Sequence, residues 1–201
     1  LAISKAREVN LPKDKIEQAI KKGTGELPGM SYEEAVLEGY GPGGAAILVQ
    51  ALTDNKNRTT AELRNIFVSR GGNVAGAGSV SWQFQKKGVV LVSATLIEED
   101  RLMSLVLDAG ADDLTRDGEV YTITTDPQHL ERVKEALTAQ SLAWDSADLT
   151  LVASSSVRVD NPSHAKQLLT LLDKLEEHDD VQHVYANFDI PDAILAEHAA
   201  A

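Results

Sequence analysis

At 201 residues, with 43% hydrophobic and 25% charged side chains, the chain is long enough to bury one to three small cores. No apolar run approaches the length of a membrane-spanning helix, and the lack of cysteine excludes disulfides and thiolate metal sites, which fits a reducing compartment. The net charge of −12 argues against polyanion binding by the whole surface, but the charge is uneven. Residues 55–97 carry Lys56, Arg58, Arg64, Arg70, Lys86 and Lys87 against the single acid Glu62, and binding depends on the local field.

Taken in order, residues 1–10 read as the end of one helix. Part of an N-terminal helical domain is therefore expected to precede them. Asn10-Leu11-Pro12 interrupts, and a second short helix follows with Ile16, Ala19 and Ile20 on one face, ending at Gly23 behind Lys21-Lys22. Residues 24–29 read as a linker. Residues 35–40 and 45–53 predict two strands of a hairpin around a Gly/Pro turn. From Lys56 to Arg70, Leu63, Ile66 and Phe67 fall at helical spacing, with Arg58, Glu62, Asn65 and Ser69 opposite them. Val80, Trp82 and Phe84 alternate as in a strand.

Residues 89–93 predict a strand, 98–109 a helix, 112–114 and 119–125 two strands about the turn Arg116-Asp117-Gly118, and 127–140 a helix after Asp126. A last strand is expected beyond Leu142. This β-α-β-β-α-β order is ferredoxin-like. Residues 149–159 then predict a strand with a serine-rich middle, Asn161-Pro162 a capped helix, and Val184, Ala186, Phe188 and Ile190 a final strand. The expected class is α+β. The domains expected are a helical piece over 1–25, a discontinuous α/β domain over 26–85 plus 147–201, and a ferredoxin-like insertion over 86–146. Three consecutive units are the alternative, between which periodicity does not choose.

Glu38-Gly39-Tyr40-Gly41-Pro42-Gly43-Gly44, Thr53-Asp54-Asn55-Lys56-Asn57-Arg58-Thr59, Gly71-Gly72-Asn73 and Gly78-Ser79-Val80 occur in the order that marks the YebC/PmpR family. Ser4-Lys5-Ala6-Arg7, Lys21-Lys22-Gly23-Thr24-Gly25 and Asp180-Val181-Gln182-His183-Val184-Tyr185 extend the resemblance over essentially the whole chain. The Gly-His-Ser-Lys-Trp motif of the family's basic opening segment is not in this sequence. The resemblance implies a three-domain, cytoplasmic, non-enzymatic protein, with a mitochondrial counterpart that activates translation of cytochrome c oxidase. Some members are described as DNA-binding transcriptional regulators and others as ribosome-associated translation factors, so DNA or RNA, and possible ribosome contact, are the expected partners. No catalytic residues carry over.

The residues themselves narrow the chemistry. Gly39, Gly41 and Gly44 match G-x-G-x-x-G, but a dinucleotide loop needs a helix to start there, whereas Pro42 and a predicted strand follow. A tight hairpin turn is the better reading. Asn55, Lys56, Asn57 and Arg58 combine helix-capping residues with cations suited to phosphates, two roles that do not exclude each other. Arg64, Arg70, Lys86 and Lys87 join them as candidate nucleic-acid contacts, with Lys13, Lys15, Lys21 and Lys22 secondary. Trp82 and Phe84 read as core in preference to base-stacking groups. His178 and His183 flank Asp179-Asp180 but fall on different elements, so no metal is expected. No hydrolase, zincin or P-loop motif is present, and neither a cofactor nor a small-molecule substrate is expected. A monomer is expected. An acidic protein-binding module over 98–201 and an enzyme with a phosphate ligand at the glycine turn are the rival readings.

Overall fold

The computed structural model describes residues 10–24, 32–191 and 193–195, together with residues 3 and 6. The helix expected over 1–10 and the linker over 24–29 fall mostly outside the described residues. The chain divides into two compact units, Leu1–Ser81 with Ser156–Ala201, and Trp82–Ser155.

In the first unit, helix α1 (Lys13–Gly23) starts directly after Pro12, whose carbonyl accepts the N–H groups of Lys15 and Ile16. Strands β1 (Glu33–Tyr40) and β2 (Ala46–Thr53) form the expected antiparallel hairpin, with Leu37 opposite Val49. Helix α2 (Lys56–Ser69) and the short β3 (Asn73–Val74) follow. After the second unit the chain returns as β8 (Val157–Arg158), α5 (Pro162–Glu176), β9 (Val181–Ala186) and β10 (Phe188–Asp189). The main sheet runs β3-β1-β2-β9 with antiparallel neighbours, and β8 and β10 form a separate parallel pair. Alternation along β1 and β2 puts Ala35, Leu37, Ile47, Val49 and Ala51 into one core with Leu63 and Phe67 of α2 and Ala165, Leu168, Leu171 and Leu175 of α5. Burying that apolar face of each helix is what makes the sheet and helices mutually stable.

The second unit contains β4 (Phe84–Ser93), α3 (Glu99–Asp108), β5 (Ala111–Asp117), β6 (Val120–Thr125), α4 (Leu130–Ala139) and β7 (Ser146–Ala153). Its sheet order is β5-β6-β4-β7 with every neighbouring pair antiparallel, the ferredoxin-like arrangement. Leu102 and Val106 of α3 and Val133 and Leu137 of α4 pack with Val90, Val92, Tyr121 and Ile123 in its core.

Three strand expectations are corrected. The final strand expected through Val184, Ala186, Phe188 and Ile190 breaks at Asn187, so that Val181–Ala186 pairs with β2 in the main sheet while Phe188–Asp189 pairs with β8 and Ile190 lies beyond both. Residues 149–159 are not one strand: Ser146–Ala153 pairs with β4 in the second unit, while Val157–Arg158 pairs with β10 in the first. The serines between them belong to the crossing from one unit to the other. Nor do Val80, Trp82 and Phe84 share a strand. The carboxylate of Glu38, itself buried in β1, accepts the backbone N–H groups of Gly78 at 2.7 Å, Val80 at 2.6 Å and Ser81 at 2.8 Å. Those donors are thereby withdrawn from any ladder, a 3₁₀ turn forms over Ser81–Gln83, and β4 begins only at Phe84. Phe84 is buried, but Trp82 is 72% exposed and is not a core residue.

Candidate nucleic-acid interface

Helix α2 carries the chemistry of the first unit, and its start is set by Asn55. The Asn55 side chain accepts the Arg58 N–H at 3.1 Å, and the Asn55 N–H donates to the Thr53 hydroxyl at 2.9 Å. Asn55 therefore acts as a cap, the structural half of its expected role.

The helix has three faces. Thr59, Leu63 and Phe67 are buried. A second face points toward the residues just before β9. There the Arg58 guanidinium lies 2.8 Å from Asp180 Oδ2 and 3.1 Å from Asp54 Oδ1. The Thr59 hydroxyl reaches the same Asp180 oxygen at 2.5 Å and the Thr53 hydroxyl at 2.8 Å. The Thr59 hydrogen bond is the main reason that the Asp180 carboxyl sits below its ordinary value; burial opposes it and Arg58 assists. The hydrogen bond to Asp180 likewise raises Arg58. His178 completes this face, with Nε2 3.0 Å from Glu62 Oε2 and Nδ1 accepting the Asp180 N–H at 3.1 Å. An acceptor at Nδ1 fixes the tautomer with the proton on Nε2.

The third face is open. Lys56, Asn57, Thr60, Ala61, Arg64, Asn65 and Val68 line a shallow depression of about 550 Å³. No carboxylate lines it. The helix's one acid, Glu62, is turned to Arg58 and His178 instead. Sequence periodicity had grouped Asn65 with Arg58 and Glu62; the structure separates them, with Asn65 on the open face.

The remaining candidates are dispersed. Lys13, Lys15 and Lys21 are exposed on α1, with Lys13 3.8 Å from Glu17, and the side chain of Lys22 lies outside the described residues. Arg70 is exposed at the end of α2, where its N–H closes onto the Phe67 carbonyl and that of Gly71 onto the Val68 carbonyl. Lys86 and Lys87 belong to the second unit. Lys86 is exposed, whereas Lys87 bridges Asp112 and Asp126, each at 2.8 Å. Those hydrogen bonds raise Lys87, and the bond from Lys87 is the leading cause of a lowered Asp126. Of twelve candidates, the structure thus gathers Lys56, Asn57 and Arg64 on one acid-free face. Thr60, Ala61, Asn65 and Val68 were missed, although they stand at i+4 and i+8 positions from Lys56, Asn57, Ala61 and Thr60, the spacing that shares a helix face.

The glycine motif is a hairpin turn followed by a strand. Gly41 N–H bonds to the Ala45 carbonyl at 2.8 Å around the 3₁₀ turn Pro42–Gly44. A Cβ on Gly41 would lie 2.7 Å from Leu168 Cδ1, so this glycine serves close packing beneath α5. Among the described residues no group of three or more His, Asp or Glu side chains is placed to hold a metal ion, and no helix is long and apolar enough to cross a membrane.

Comparison with known proteins agrees with the architecture. Residues 32–188 match the family model described as "TACO1/YebC second and third domain". A "Probable transcriptional regulatory protein" of Halothermothrix orenii is 48% identical over 199 residues, covering 98% of this chain and 79% of the relative. A protein of the same description from Treponema pallidum is 50% identical over 194 residues, covering 96% and 79%. The crystal structure of the conserved hypothetical protein Aq1575 from Aquifex aeolicus superposes with a TM-score of 0.79 at 44% identity, covering 94% of this chain and 78% of that one. With more than three quarters of its length inside the family model and relatives at this identity along nearly all of it, the chain belongs to the TACO1/YebC family.

Proposed function

We propose that the protein is a cytoplasmic regulator of gene expression that binds DNA and performs no chemistry of its own. The observation that carries this reading is the open face of α2, where Lys56 and Arg64 stand without a lining carboxylate in a chain of net charge −12. Arg offers a planar fork to phosphate oxygens, Lys a compact charge, and both lie on a helix whose N-terminal end favours anions. The family relatives' description as transcriptional regulatory proteins supports a nucleic-acid partner. In this reading Arg58 and Lys87 serve the fold, since their charges already meet carboxylates. The exposed lysines of α1 add secondary phosphate contacts.

The test is a salt titration of duplex DNA binding. Counterion release gives a log–log slope of about −0.9 for each phosphate neutralised. Lys56→Glu with Arg64→Glu should lower affinity and make the slope shallower by roughly two such contacts. Salt-independent binding, or a double variant that binds like the parent, would overturn the assignment.

A further inference from the structure

We infer that the open face of α2 reads base edges in the major groove of duplex DNA, with Asn57 and Asn65 as the reading side chains. The inference rests on the proposed function and adds a specificity to it. Asparagine is a poor residue inside a helix, because its amide competes for backbone groups and is better placed at caps and turns. Asn55 obeys that rule and caps the helix; Asn65 stands mid-helix. Asn57 and Asn65 are exposed, and among the described residues neither side-chain amide has a hydrogen-bond partner. The fold makes no visible use of either amide, and both face the same depression as Lys56 and Arg64.

The geometry suits a groove. Asn57 and Asn65 are two turns apart, a rise of about 12 Å, which spans roughly three to four base pairs. Between them stand Thr60 and Ala61, small enough for the helix to approach closely, and Val68 at the far end is 63% exposed. Methyl groups of Ala and Thr are suited to the thymine methyl, and Asn to the N6 and N7 edge of adenine. A helix about 10–12 Å across fits the B-form major groove, about 12 Å wide, whereas the major groove of A-form RNA is too narrow. Lys56 and Arg64 would hold the phosphates that fix the register. The acid nearest the helix start, Asp54, is held at 3.1 Å by Arg58.

Selection by the whole protein from duplex DNA with a randomised core tests this directly. The expected core holds two adenine-bearing positions roughly three to four base pairs apart. Asn57→Ala and Asn65→Ala should each relax one position, a loss of roughly ten- to hundredfold in preference there, while the salt slope stays unchanged. Lys56→Ala and Arg64→Ala should weaken all sequences alike and make the slope shallower. If the protein binds duplex DNA with steep salt dependence yet enriches no core, or if both Asn variants keep the parent's preference, base reading is refuted and the phosphate-binding role stands. If it shows no salt-dependent duplex binding, or binds single-stranded RNA alone, both fall. Melting curves of the Asn variants guard against loss of folding as the cause.

Discussion

Arg58 and Asp180, 122 residues apart in the chain, meet at 2.8 Å and fasten the start of α2 to the residue before β9. The pair matters less for its charge than for what shares the carboxylate. Thr53 and Thr59 are fully buried, and their hydroxyls form a chain that ends on Asp180. Asp180→Ala should therefore destabilise the protein by about 1–3 kcal/mol, the cost of leaving buried polar groups short of an acceptor. A lower urea midpoint with an unchanged m-value is the expected signature. Arg58→Ala, by contrast, should leave salt-dependent DNA binding close to that of the parent, where Arg64→Ala reduces it.

Glu38 and Asp180 also predict an acid limb of stability. For Glu38, burial pushes the carboxyl up, but the N–H groups of Val80, Gly78 and Ser81, with the Ser81 side chain, together outweigh it and leave the carboxyl lowered. A carboxylate lowered in the folded state contributes stability above its unfolded value, and the contribution fades as pH falls through the folded one. Stability should thus decline below the ordinary carboxylate range and not near neutrality. Glu38→Gln removes the charge from bonds worth about 1.5–3 kcal/mol when charge-assisted, and it turns an amide NH₂ toward three N–H donors. It should lower the urea midpoint at pH 7 and flatten the acid limb, measured by repeating the titration at descending pH.

Gly39 tests the packing of the hairpin. A Cβ there would lie 2.6 Å from the Asn73 carbonyl oxygen and 2.7 Å from Phe67 Cε1, a backbone atom and a fully buried ring. Gly39→Ala should cost about 1–3 kcal/mol as an overpacked site. At Gly44 nothing lies within 4 Å of the added Cβ, and only its φ of +83° opposes a side chain. Gly44→Ala should cost about 1–2 kcal/mol through backbone strain alone. Gly44→Asn, which tolerates that region, should recover part of the loss in a thermal melt.

The contrast between local and distant partners separates what the sequence discloses from what it hides. The hairpin, the capped α2 and the β-α-β-β-α-β order are written in alternation, helical spacing and cap residues, all signals that act over a few positions. The fate of Arg58 is not, because Asp180 lies on the far side of an inserted unit. Lys87 is hidden in the same way: nothing near it in sequence announces Asp112 or Asp126. The strand expected through Trp82 failed for a related reason, since Glu38, some forty residues earlier, takes the donors that a ladder would use. Each misreading is a long-range polar contact overriding a correct local pattern. The split of Asn65 from Arg58 is of the same kind: seven residues apart, the two fall on one stripe of the helix, and it is Asp54 and Asp180 that draw Arg58 to one side while Asn65 lines the open depression.

Asn65 gives a prediction in which stability and function move in opposite directions. Its side chain is exposed in the interior of α2 and makes no hydrogen bond among the described residues, so the fold loses nothing by its removal. Alanine is the better helix former, and Asn65→Ala should raise stability by about 0.5 kcal/mol. A residue retained only by chance would show that gain and no other consequence. If Asn65 reads a base, the same variant melts higher, binds mixed-sequence duplex DNA with the parent's salt slope, and loses discrimination at one position of the selected core. Lower stability of Asn65→Ala would mean that the side chain supports the fold, and its place in the interface would have to be withdrawn. Higher stability with unaltered sequence preference would leave Lys56 and Arg64 as phosphate contacts on a helix that does not read sequence.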